Sequence, residues 1–216
     1  MQDIGVRWAS VESISNKAKA VVSGDAADSE ASSEPTLRWS DKPILVYVCD
    51  EAGGCEQFDK IEEIVLKDEK VALGMKAFRT LKMHPDNVDA DPLLKDHGKG
   101  VPRMIFIEPT KMKFHVLEPK KVKARSLFSA MKRTAKGYWK ESLDKVVKSH
   151  LKLMVKQDKL ANQIKTLHDQ KGRLEEKDTR KAKDIAAEIA EVEAERKELR
   201  EEKTQLWKLT KKAKSA

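Results

Sequence analysis

Apolar and polar residues follow two distinct rhythms along this chain, and each predicts a different kind of element. Ile44-Leu45-Val46-Tyr47-Val48 is an unbroken apolar run of strand-favouring residues, the pattern of a strand buried on both faces. Gly53 and Gly54 then allow a tight turn, and Phe58, Ile61, Ile64 and Val65 recur at helical spacing between Glu56 and Leu66. Strand, turn and helix in immediate succession predict an α/β unit.

The second rhythm begins after Tyr138, in a stretch without Pro and rich in Lys, Glu, Ala and Leu, the strong helix formers. Leu143, Val146, Leu153, Leu160, Ile164, Leu167 and Leu174 recur at a three/four spacing. His150 and Gln157 sit on this stripe and fit as polar members of the seam rather than ligands. Residues 175–181 carry no apolar side chain, after which Ala182, Ile185, Ile189, Val192, Leu199, Leu206 and Leu209 form a second stripe. Asp178 or Thr179 is placed to cap the second arm. A long C-terminal coiled-coil hairpin over 138–212, with its tip near 175–181, is the expectation. Its rival is one continuous helix of about 70 residues, on the order of 100 Å long, which would have to dimerise to cover its stripe. The polar gap at the midpoint favours the hairpin, since a dimer seam would lose its packing layers there. Gly172 does not decide the matter, costing a helix only about 1 kcal/mol.

Upstream of the strand the pattern is weaker. Residues 4–22 hold scattered apolar side chains, Trp8 among them, and Ser23 to Pro35 has the composition of a flexible acidic linker. The expected organisation is therefore an N-terminal segment with linker over 1–40, an α/β domain over 41–137, and the helical arm. Composition agrees, because 37% charged and 5% aromatic residues in 216 are too polar for a single core throughout. Of the net charge of +8, residues 1–40, 41–137 and 138–216 hold −2, +4 and +6.

Lysines and arginines crowd 111–136 and again the C-terminus, yet Glu/Lys pairs interleave through the arms, no nucleic-acid module is recognisable, and few aromatics are present to stack on bases. Nucleic acid is thus not an expected partner. No run of eighteen apolar residues exists, so no membrane span is expected. The polar start Met1-Gln2-Asp3 would suit a boundary at which Met replaces a cleaved signal of a secreted or periplasmic protein; otherwise the chain is expected in the cytoplasm. His84, His97 and His115 lie far apart and lack zinc-site spacing, no phosphate-cradling Gly-rich motif is present, and neither metal nor cofactor is expected.

Lys42-Pro43 ahead of the apolar strand, and Gly54-Cys55 at the start of the following helix, resemble the active-site segment of thioredoxin-like proteins. In that family the strand leads into Cys-x-x-Cys at a helix N-terminus, and a later apolar residue precedes a cis-proline facing the cysteines. Val101-Pro102 followed by Arg103-Met104-Ile105-Phe106-Ile107 matches that second landmark. The resemblance extends over 41–136: it implies strands at Phe78–Met83 and Lys113–Leu117, and a closing helix at Ala124–Ala135 carrying Leu127, Phe128 and Met131. The implied fold is an α/β thioredoxin-like domain followed by the helical hairpin.

The chemistry of the family is altered here. Alignment on Gly54-Cys55 puts Ala52 where the attacking cysteine belongs, Tyr47 where a buried acid belongs, and no tryptophan before the motif. Cys49 lies six residues before Cys55, close enough along the chain for a disulfide, and a helix N-terminus would lower the pKa of a Cys55 thiol. Inert buried cysteines, a structural disulfide and a redox pair all remain open. Two functions follow. In the first the domain is redox-silent and binds proteins through Gly53, Gly54, Val101 and Pro102, while the arm gives reach or self-association. In the second the chain is an atypical thiol-disulfide oxidoreductase with Cys49 and Cys55 as its catalytic residues.

Overall fold

The computed structural model describes residues 9–10, 41–50, 56–175 and 179–212. They divide into two compact units, one made of 1–143 with 210–216 and the other of 144–209.

The first unit is built on a five-stranded sheet: β1 (Ala9–Ser10), β2 (Ile44–Val48), β3 (Arg79–Met83), β4 (Arg103–Glu108) and β5 (Lys113–Leu117). The spatial order is β1-β3-β2-β4-β5. β3 runs parallel to both β1 and β2, whereas β4 runs antiparallel to β2 and to β5. β2 is the central strand, which is why all five of its residues are apolar and fully buried. β1, only two residues long, had no periodic signal and adds an edge strand within the segment expected to precede the domain.

Because side chains alternate along a strand, the sheet separates two cores. Ile44, Val46 and Val48 pack with Leu81, Met83, Ile105 and Ile107 and, from beyond the sheet, Val88 and Leu94. Leu45, Tyr47, Met104 and Phe106 belong to the opposite alternation. There Tyr47 stacks on Phe58, with centroids 6.2 Å apart, and Phe106 meets Phe78 edge-on at 6.1 Å.

Helices cover both cores. α1 (Glu56–Lys60) runs into a π-helical turn at Ile61–Val65, closed by the Leu66 N–H donating to the Ile61 carbonyl at 2.9 Å. The wider turn buries Ile61 and Val65 and leaves Ile64, which helical spacing had placed on the inner face, 67% exposed. α2 (Glu69–Met75) starts where the Asp68 carboxylate accepts from the amides of Lys70 and Val71. α3 (Pro85–Ala90) follows β3 directly, and α4 (Ala124–Tyr138) packs across β4, β5 and α2 through Leu127, Phe128, Met131 and Ala135.

Beyond α4 the backbone is tied to the far end of the chain. The Lys140 N–H donates to the Thr210 carbonyl and the Lys212 N–H to the Tyr138 carbonyl, both at 2.9 Å. Trp139, 5% exposed, donates its indole N–H to the Ala77 carbonyl at 3.2 Å and meets Tyr138 edge-on.

The second unit consists of α5 (Leu143–Glu175) and α6 (Thr179–Gln205). Ile164 and Leu167 of α5 pack against Ile189 and Val192 of α6. Gln157 accepts from the Lys203 ammonium at 2.7 Å, and the His150 Nδ1 from the Trp207 indole N–H at 2.9 Å. Earlier residues of α5 thus meet later residues at the end of α6 and just beyond it, so the two helices run antiparallel. Both seam polar groups expected from the stripe are buried and each accepts a hydrogen bond, while the Gln157 Nε2 finds no acceptor among the described residues.

Candidate functional site

The ends of β2 and β3 and the start of β4 bring several chemically distinct groups to one edge of the sheet. Val48 lies opposite Arg103, and Tyr47 opposite both Met104 and Lys82. Cys49 follows β2 immediately; it is 3% exposed, and its amide donates to the Met83 carbonyl at 3.2 Å. A thiol enclosed in this way is not presented to a substrate in solution.

Across the edge, the Val101–Pro102 bond is cis and leads directly into β4. Pro102 is buried, and half-buried Val101 packs against the core beneath it. Gly98 and Gly100 take positive φ, and a Cβ on Gly98 would come within 2.7 Å of a Val116 methyl, so this approach requires glycine. The fold therefore brings Cys49, Val101 and Pro102 to the same sheet end. Gly53, Gly54 and Cys55, the other expected site residues, lie outside the described residues.

Arg103 is the group that sequence reasoning did not single out. Its side chain is 3% exposed, and its Nη1 donates to the Gly100 carbonyl at 2.7 Å. Nη2 lies 3.6 Å from the Asp89 carboxylate on α3, while Nε and Nη2 have no hydrogen-bond acceptor among the described residues. Burial pushes this guanidinium below its ordinary value, and Asp89 acts in the opposite direction. A signal was available: Arg103 is the only charged side chain between Val101 and Ile107, a stretch otherwise suited to a buried strand.

Two further groupings flank the edge. His84 caps α3, its Nδ1 accepting from the Asp86 amide at 3.4 Å, and its Nε2 lies 3.7 Å from Asp50. On the α1 side, the Lys82 ammonium pairs with Glu62 at 3.3 Å and sits 5.6 and 5.1 Å from the Tyr47 and Phe58 ring centres. Near β5, burial holds both His97 and His115 below the usual imidazole value; Asp96 opposes this at His97, whereas Arg133 adds to it at His115. No group of three or more His, Cys, Asp or Glu side chains is arranged to hold a metal ion among the described residues. Nor is any helix among them long and apolar enough to cross a membrane. Compared with known proteins, the chain matches no family model and no curated sequence.

Proposed function

We propose that the first unit is a thioredoxin-like domain that has relinquished dithiol chemistry and serves as a protein-binding or structural module, with the paired helices of the second unit as its arm. Enclosure of Cys49 carries this reading: the one cysteine among the described residues is 3% exposed at the end of the central strand. The order and directions of the strands support the fold assignment, and the junction of Cys49 with Val101 and Pro102 supports the location of the binding surface. On this reading the sheet edge contributes shape rather than a nucleophile.

Thiol titration of the native protein, with measurement of the reduction potential of Cys49 and Cys55, tests it. Cys49 is expected to react only on unfolding, with no reversible potential between about −120 and −270 mV, the range of thiol oxidoreductases. A reversible potential in that window, or insulin reduction that disappears in Cys55→Ser, would establish the oxidoreductase instead.

A further inference from the structure

Residues 109–140 hold ten Lys and Arg side chains and one acid, Glu118. The interleaving of charges that counted against nucleic acid belongs to the helical arms and does not extend to this segment. α4 makes the arrangement regular. Its buried side carries Leu127, Phe128, Met131, Thr134, Ala135 and Tyr138, and the opposite side carries Arg125, Lys132, Arg133 and Lys136 with no acidic residue on the helix. These cations lie between Arg125 and Lys136, a rise of about 17 Å at 1.5 Å per residue.

Folding extends the stripe at both ends. Lys120, Lys121 and Lys123 lead into its first turn, where the positive pole of the helix disfavours cations. That placement costs stability, so helix electrostatics do not explain it. At the other end, pairing of 210–212 with 138–140 brings the Lys212 ammonium to the Lys136 carbonyl at 2.7 Å, while the Lys211 ammonium lies over Tyr138, 5.5 Å from its ring centre. Two acids border the patch and both are engaged: Glu118 pairs with Lys121 at 3.2 Å, and Glu141 accepts from the Thr210 amide at 2.9 Å.

We propose that this face of α4, with its flanking lysines, binds double-stranded nucleic acid through the phosphate backbone, without reading sequence. The make-up of the patch selects this partner. Protein interfaces are built around apolar or aromatic anchors and are depleted in lysine at their centres. Here the centre is lysine and arginine, and among the described residues the only exposed large apolar side chains are Ile64 and Val155, neither of them on α4. Single strands are held largely by stacking on exposed aromatics, which this face does not offer. An acid-free row of long cationic side chains instead suits closely spaced phosphates.

The test is fluorescence-anisotropy titration of a 25-base-pair DNA duplex with the full chain at several salt concentrations. With the four helix cations and one flanking lysine each meeting a phosphate, the slope of log K against log salt is expected near −4.5, or about 500-fold weaker binding at 200 mM than at 50 mM. K132E/R133E/K136E, which leaves the buried residues of α4 unchanged, is expected to weaken binding at 50 mM at least 100-fold and to reduce the slope by about 2.7. The arm variant K156E/K159E is expected to leave both nearly unchanged. The proposal is overturned if duplex does not bind at 50 mM salt, if the arm variant loses as much as the α4 variant, or if single-stranded DNA binds tighter than duplex. Tighter binding of a glutamate-rich peptide than of the duplex would also overturn it, in favour of an acidic protein partner.

Discussion

Asp89→Asn, made alone and in an Arg103→Met background, measures what the buried guanidinium costs the sheet edge. At 3.6 Å, two unit charges attract by about 1 kcal/mol at the dielectric constant of water and about 5 kcal/mol at an effective value of 20. Asp89 is 69% exposed, which places the pair toward the lower figure, so Asp89→Asn is expected to cost about 1–2 kcal/mol. Arg103→Met removes the hydrogen bond to Gly100, but that residue is exposed and its carbonyl can turn to water. It also removes two buried donors that find no acceptor among the described residues, each worth about 1–3 kcal/mol when unsatisfied. The single Met variant should therefore lie within about 1 kcal/mol of the parent or above it, and in its background Asp89→Asn should cost under about 0.5 kcal/mol. Native-state hydrogen exchange at the amides of β2 and β4 reports the first unit by itself. Equal costs of Asp89→Asn in the two backgrounds would refute the coupling. Loss of more than about 2 kcal/mol in Arg103→Met would show that ordered water satisfies Nε and Nη2.

Acid sensitivity and the buried indole give two further tests. Burial lowers the His97 pKa from 6.5, so the unfolded chain binds the proton more tightly and stability rises with pH up to about 6.5, then is lost as pH falls below it. His97→Phe keeps a ring on Phe114, which His97 stacks at 3.8 Å; its urea midpoint relative to the parent should be higher at pH 5 than at pH 7.5, and an unchanged difference would remove His97 from the acid response. Trp139→Phe leaves the Ala77 carbonyl without its indole donor and is expected to cost about 1–3 kcal/mol by the same exchange measurement at β3; a cost below 0.5 kcal/mol, roughly the surface-substitution range, would mean that water replaces the indole.

What the sequence made legible follows the range of the interactions. Local patterns located the central strand, the helix after it and both C-terminal stripes, because a run of five buried residues or a three/four repeat is present in the chain itself. β1 escaped because two residues acquire strand character only through pairing with Leu81 and Lys82. Ile64 was placed inward because a periodicity of 3.6 has no provision for a π turn. At the candidate site, Cys49, Val101 and Pro102 were visible, whereas the Arg103–Asp89 contact depends on where α3 falls after β3. Lys212 reached the end of α4 only through backbone pairing across some seventy positions.

The α1 side of the sheet edge is filled by aromatic packing that restricts what position 47 can hold. Tyr47 is 0% exposed and stacked on Phe58, so an aromatic ring fills the strand face beneath the helix that follows β2. A carboxylate there would have to be hydrated or paired to ionise. The nearby carboxylate of Glu62 instead stands off the strand, joined to Lys82, whose ammonium lies over both rings. Placing an acid at this position would thus require more than one substitution. Tyr47→Asp alone would remove the stacked ring and leave a buried charge beside a cavity, two separately destabilising changes. The core beneath α1 therefore favours a ring over a carboxylate at position 47.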